Sequence, residues 1–149
     1  MLSSIRAATL RAPGRALRVL IADDDRLMRT LLSEVLAGLG HQVVAASDGR
    51  EAVELWQRER PDAVILDFLM PRLSGVDALA EMRQTDRHLP AVLLTAISGP
   101  SLRDAVGTDA PEVILEKPFD ARAVARALGR AARLPAPARR AAAAARGAA

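Results

Sequence analysis

Three aspartates in a row, Asp23, Asp24 and Asp25, follow the apolar run Arg18–Ala22. Asp67 follows a second such run, Ala63–Leu66, and Thr95 closes a third, Ala91–Thr95. Lys117 comes just after a fourth, Glu112–Leu115. Gathered at one edge, these side chains would form a coherent chemical set. Crowded carboxylates repel one another, and a hard divalent cation relieves the repulsion. Mg²⁺ suits that role, because it prefers oxygen ligands in an octahedron and keeps some of its waters. A carboxylate beside the ion is a nucleophile able to attack phosphorus. The charge developing on the phosphoryl oxygens would be shared by the metal, the Lys117 ammonium and the Thr95 hydroxyl.

Each residue also has a plainer explanation. An Asp triplet ahead of a helix can serve only as N-cap and dipole complement. An Asp at a strand end is often a turn former, and a lysine usually reaches into water. The joint arrangement carries the argument, since several unrelated causes would have to coincide at one edge. Lysine usage adds to it. Of 21 basic residues, Lys117 is the single lysine and the rest are arginine. A lysine in such a chain suggests a need for a compact point charge rather than a planar fork.

The elements that must position this set follow from hydropathy. Short, nearly continuous apolar runs, with Gln42–Ala46 as the fifth, alternate with stretches of helical period. Runs of that kind are strands buried on both faces of a parallel sheet. Between them, Arg26–Leu39 places Leu27, Thr30, Leu31, Val35 and Leu39 at three- and four-residue spacing, which reads as an inward stripe, and Gly40 terminates it. Gly49–Arg58 carries Ala52, Val53 and Trp56, with Asp48 or Ser47 as N-cap. Ser74–Arg83 carries Val76, Leu79, Ala80 and Met82, and a shorter helix fills Ser101–Val106. Ala121–Leu134 has Val124, Leu128 and Ala131 on one stripe, Asp120 as cap, and Pro135 and Pro137 beyond its end. The fold class is therefore α/β: a doubly wound (βα)5 open parallel sheet of five strands, flavodoxin-like, with too few strands for a closed eight-stranded barrel. Ligands bind such sheets beyond the carboxyl ends of the strands, where the polar set stands.

Composition narrows the function classes. The 149 residues suffice for one domain with a true core. Aromatics are scarce, so that core is aliphatic. The absence of cysteine excludes disulfides, thiolate metal sites and Cys nucleophiles. His41 and His88 lie in different segments and do not make a zinc site. No stretch approaches the length of a membrane span, and the start of the chain lacks the apolar run of a secretory signal. Its Arg-bearing, acid-free opening faintly resembles an organellar transit peptide; a disordered extension is the simpler reading, and the cytoplasm is the expected location. Residues 1–16 are expected to be a disordered arm, 17–134 the folded domain, and 135–149 a disordered Pro/Ala/Arg tail. The formal charge of +3 belongs to these ends. Residues 17–134 hold 15 basic and 18 acidic residues, a balance of −3. That is poor material for a nucleic-acid-binding domain.

At this point a resemblance is plain. Residues 17–134 resemble a response-regulator receiver domain of two-component phosphorelays. The motifs are VLIADDD (Val19–Asp25), VILDFLMPRLSG (Val64–Gly75), LLTA (Leu93–Ala96) and EKPF (Glu116–Phe119), in order and with compatible spacing. The resemblance implies Asp67 as phosphoacceptor, with Asp23, Asp24, Asp67 and the backbone carbonyl of Leu69 as Mg²⁺ ligands. It implies that Thr95 and Lys117 bind the phosphoryl group, and that Lys117–Pro118 is a cis peptide. Met70-Pro71 and Gly75 match the loop after the acceptor. The implied partners are a sensor histidine kinase or a histidine phosphotransfer protein, and an unidentified downstream protein, with neither membrane nor nucleic acid expected. The implied activity is phosphoacceptance that assists its own modification and hydrolysis, not turnover of a separate substrate.

The sequence departs from that family in places. Ile114 stands three residues before the lysine, where an aromatic switch residue is usual. Leu69 and Ile97, two residues after Asp67 and Thr95, are apolar where the family borders the path of the hydrolytic water. This implies either a long-lived acyl phosphate or ordinary variation at loosely constrained positions. The tail after Leu134 cannot form a core, so a single-domain regulator, or the receiver fragment of a larger system, is expected. Two other readings remain. One is a receiver-like binding module that is never phosphorylated. The other is a haloacid-dehalogenase-type phosphatase, which Asp23-x-Asp25 resembles, although Leu27 stands where that family expects Thr or Val.

Overall fold

The computed structural model describes residues 16–97, 99–107 and 110–133. The expected arm, apart from Ala16, and the expected tail, together with Leu134, lie outside the described residues. Five strands alternate with five helices: β1 (Arg18–Ala22), α1 (Arg26–Gly38), β2 (Gln42–Ala46), α2 (Gly49–Glu59), β3 (Ala63–Asp67), α3 (Gly75–Arg83), β4 (Ala91–Thr95), α4 (Pro100–Val106), β5 (Val113–Glu116) and α5 (Ala121–Ala131). All strand pairs are parallel, in the order β2-β1-β3-β4-β5. This is the doubly wound, flavodoxin-like sheet. β3 and β4 are buried at every residue, whereas the edge strands β2 and β5 are not. Continuous apolar runs such as Ala63–Leu66 occur because both of their faces meet helices.

Alternation along the strands sends side chains to two separate cores. On one face Leu20, Val64, Leu66 and Leu93 pack with Ala52, Val53 and Trp56 of α2 and with Leu79 and Met82 of α3. On the other, Ile21, Ile65, Val92 and Leu94 pack with Leu32 and Leu36 of α1 and with Val124 and Leu128 of α5. Burying each such side chain contributes roughly 1.5–3 kcal/mol.

The stripe expected for α1 is corrected here. Its buried residues are Leu32 and Leu36, with Met28 and Val35 packed beside them. Leu27 is 80 % exposed and Leu31 46 %. The helix carries leucines on two faces at valid helical spacings, so spacing alone did not select the inward one. The helix ends at Gly38, with Leu39 as its C-cap and Gly40 at φ +89°. The caps match the sequence closely: Asp48 accepts from the Glu51 N–H, and Asp120 from the Ala123 N–H. The Glu51 carboxylate in turn accepts from the Ser47 N–H at 2.9 Å, one residue before the cap.

Candidate functional site

The chain runs outward from β1 to β2, then returns to β3 on the other side of β1, so the crossover reverses between β1 and β3. Open α/β sheets form their ligand crevices at such a switch point. The register pairs Ala22 with Leu66, which sets Asp23 and Asp67 side by side on the two strands at that crevice. Asp23, Asp67 and Thr95 are the buried polar residues of the described chain.

Each is held by local structure. The Asp23 N–H donates to the Ala46 carbonyl, 3.2 Å, and its own carbonyl accepts from the Arg29 guanidinium, 2.8 Å. One Asp23 carboxylate oxygen accepts from the Asp25 N–H at 2.9 Å, which bends the chain into α1. Asp25 itself is spent on capping, since its carboxylate accepts from the Leu27 N–H at 2.9 Å. The triplet therefore serves both readings: Asp25 caps, while Asp23 and exposed Asp24 join Asp67. Oxygen atoms of these three carboxylates lie within 4.8 Å of one another, close enough to share one cation.

Lys117 reaches the same pocket from the end of β5. Its N–H donates to the Thr95 carbonyl at 2.8 Å, and the Lys117–Pro118 peptide is cis. The ammonium lies 3.2 Å from Asp67 Oδ1 and 3.5 Å from Asp23 Oδ2. Thr95 is buried, but its hydroxyl is engaged within its own loop. Oγ1 donates to the Ile97 carbonyl, 3.1 Å, and accepts from the Ile97 N–H, 2.9 Å.

Electrostatics at this spot are tense. Burial pushes the Asp67 carboxyl up to about 6; Asp23 adds to the rise, and Lys117 opposes it. Burial also raises Asp23, against the Asp25 N–H and Lys117, which lower it. For Lys117, burial favours the neutral amine, but the Asp23 and Asp67 carboxylates outweigh it and the ammonium is strengthened. Two buried carboxylates answered by one ammonium leave an excess of negative charge, and a divalent cation fits that excess. Among the described residues this is the group able to hold a metal. The oxygen-only donor set suits a hard divalent cation, the class to which Mg²⁺ belongs.

The residues expected from the sequence thus meet at one edge. Leu69 is 60 % exposed in the loop after Asp67, and Ile97 and Ile114 are partly exposed. Arg29, which fixes the Asp23 backbone, carried no sequence signal, because it lies six residues away on α1. His41 is remote from the pocket; its Nδ1 accepts from the Leu17 N–H at the opposite end of β1. Among the described residues no helix is long and apolar enough to cross a membrane.

Residues 19–129 match the family model described as the response regulator receiver domain. A response regulator MprA of Mycolicibacterium vanbaalenii is 46 % identical over 103 residues, covering 68 % of this chain and 44 % of the relative. That of Mycobacterium leprae is 44 % identical over 104 residues, covering 69 % and 45 %. The chain thus spans less than half the length of these curated relatives. Among solved structures, the chemotaxis response regulator CheY4 of Vibrio cholerae superposes with a TM-score of 0.73 at 28 % identity, covering 78 % of this chain and 99 % of its own. A response regulator receiver domain protein of Clostridium thermocellum gives 0.72 at 26 % identity, covering 80 % and 95 %.

Proposed function

The chain belongs to the response-regulator receiver family, and on that premise we propose that Asp67 accepts a phosphoryl group from a phosphohistidine donor, with Mg²⁺ held by Asp23, Asp24, Asp67 and the Leu69 carbonyl. The observation that carries this reading is the Lys117 ammonium set between two buried carboxylates, 3.2 Å from Asp67 and 3.5 Å from Asp23. A carboxylate oxygen of Asp67 attacks phosphorus, the P–N bond of the phosphohistidine breaks, and its electron pair returns to the imidazole. The product is an acyl phosphate. Mg²⁺, when bound, offsets the charge on the phosphoryl oxygens. Asp67 must be ionised to attack, and the adjacent ammonium favours that form. Thr95 donates its hydroxyl to the phosphoryl group, for which it must give up its bond to the Ile97 carbonyl. That exchange releases the Ile97 carbonyl and so passes the state of Asp67 to the loop after β4, without the aromatic switch that Ile114 replaces.

The donor is a sensor histidine kinase or a histidine phosphotransfer protein. Leu27 and Leu31, exposed one turn apart on the helix that follows Asp24, offer the apolar face on which such a partner docks. Output passes to a downstream protein or onward as the phosphoryl group. The chain is a phosphoacceptor that assists its own modification and hydrolysis, not an enzyme with a separate substrate.

The test is incubation with Mg²⁺ and acetyl phosphate, followed by intact mass and site mapping for the natural protein and Asp67→Ala. A mass gain that needs Asp67 is expected. No gain at all favours the receiver-like module that is never phosphorylated. A gain at Asp23 instead favours the phosphatase-type reading, against which stands the use of Asp25 as a helix cap.

A further inference from the structure

The loop Phe68–Ser74 joins β3 to α3 and carries the Leu69 carbonyl. Its two ends are pinned to each other and to the sheet: the Phe68 N–H donates to the Leu94 carbonyl, and the Gly75 N–H donates to the Phe68 carbonyl, both at 2.8 Å. A Cβ built on Gly75 would stand 2.2 Å from the Asp67 carbonyl oxygen, so only glycine lets the chain close so tightly here. Between these ends Leu69, Pro71 and Arg72 are exposed, and Arg72 takes a left-handed φ of +71°.

The far side of this loop rests on a different element. Gly49, the buried first residue of α2, packs backbone to backbone against Leu73. A Cβ there would lie 1.9 Å from the Leu73 carbonyl oxygen, 2.7 Å from its carbonyl carbon and 2.8 Å from its Cβ. Next to this contact, Arg72 reaches the Asp48 carboxylate at 3.4 Å, the same residue that caps α2. Gly49 and Asp48 thus bring the N-terminal turn of α2 against the middle of the loop.

We propose that Gly49 is a positioning residue for the Asp67 site: its bare backbone sets where the loop bearing the Leu69 carbonyl sits. A methyl group at 49 needs the Leu73 carbonyl to retreat by about 1.5 Å or more to reach ordinary contact distance. The helix will not be the part that yields. Its Ala52, Val53 and Trp56 are buried in the core, Glu51 accepts from the Ser47 N–H, and Arg50 pairs with Glu81 of α3 at 3.0 Å. The loop is less deeply held, with Leu69, Pro71 and Arg72 exposed and Phe68, Met70 and Leu73 only partly buried against the core, so it moves instead and takes the Leu69 carbonyl with it. Displacements of that size at supporting positions are enough to weaken a metal site.

This inference rests on the Mg²⁺ reading of the site. Its test is calorimetric titration of Mg²⁺ into the natural protein, Gly49→Ala and a control, Gly129→Ala, whose added Cβ meets nothing within 4 Å. Urea denaturation would confirm that each is folded. Gly49→Ala is expected to bind Mg²⁺ about 10- to 100-fold more weakly, as for other supporting residues of metal sites. Its acetyl phosphate reaction should recover at saturating Mg²⁺, which a general loss of structure would not allow. A folded Gly49→Ala with a dissociation constant within twofold of the natural one overturns the inference. If Gly49→Ala does not fold, Arg72→Gly decides. It keeps the left-handed backbone and removes the tether to Asp48. A several-fold weaker Mg²⁺ affinity is expected, and an unchanged one overturns the proposal. Failure of the natural protein itself to bind Mg²⁺ is a separate outcome, and it removes the functional reading on which this one stands.

Discussion

Replacing Asp67 with asparagine should make the metal-free protein more stable, and by an amount that depends on pH. The substitution keeps the shape of the side chain and removes its charge. The folded-state carboxyl titrates at about 6 against an ordinary 3.8, chiefly because it is buried and next because Asp23 faces it. Its folded pKa is raised, so between those values the native state holds a proton that the unfolded chain has released. Stability from this group therefore falls as pH rises through that window and stays low above it. From the two pKa values, the ionised carboxylate costs on the order of 3 kcal/mol at pH 7.5 and roughly half of that at pH 5. The Lys117 ion pair is already contained in these figures, since it opposes the rise. Urea denaturation of both proteins in EDTA, at pH 5 and 7.5, reads the difference directly. Asp67→Asn should be the more stable at pH 7.5, and its advantage should shrink to roughly half at pH 5. Adding Mg²⁺ should offset the advantage. At 100 times its dissociation constant it returns about 2.7 kcal/mol to the natural protein, nearly cancelling the advantage. An advantage that is absent, or the same at both pH values, would refute the picture of an undercompensated pocket.

Lys117→Ala should slow the acetyl phosphate reaction by about 10²–10³-fold, the usual cost of losing one preorganised donor to developing charge; a change under threefold in the initial rate, followed by mass, would remove Lys117 from the reaction. Leu32→Ala should cost about 2–5 kcal/mol in urea denaturation, since it empties a buried site, whereas Leu27→Ala should stay within about 0.5 kcal/mol. Leu69 and Ile97 stand in the two loops that follow Asp67 and Thr95 and keep them apolar, so polar replacements at both should shorten the acyl phosphate lifetime; a natural half-life of only seconds, measured by loss of mass, sinks this expectation. Ile114→Tyr should alter the phosphorylation-dependent affinity for a partner if a bulky ring at this half-exposed position engages the Thr95 exchange; unchanged binding and unchanged response would show that the aromatic is immaterial here.

The fold and the site were legible to different degrees, for physical reasons. Strands covered on both faces must be continuously apolar, so β3 and β4 announce themselves within a residue of their ends. Parallel double winding then sets the carboxyl ends of all the strands at one edge, where the polar residues that follow them must gather. Lys117 was legible through contrast, as the one lysine among arginines. Helix α1 was not, because it carries two apolar faces: one packs with Ile21 and Ile65, and the other, Leu27 and Leu31, stands in solvent. Hydropathy records apolarity without saying against what it is buried, so a helix with a core face and a second, exposed apolar face has no unique inward side. Gly49 was illegible for a related reason. Its contact is with the backbone of Leu73, far along the chain, and a backbone contact leaves no side-chain pattern to read. What the sequence displays is therefore the chemistry that side chains perform. What it conceals is the support that holds those side chains in place, and support of that kind is where Arg29 and Gly49 act.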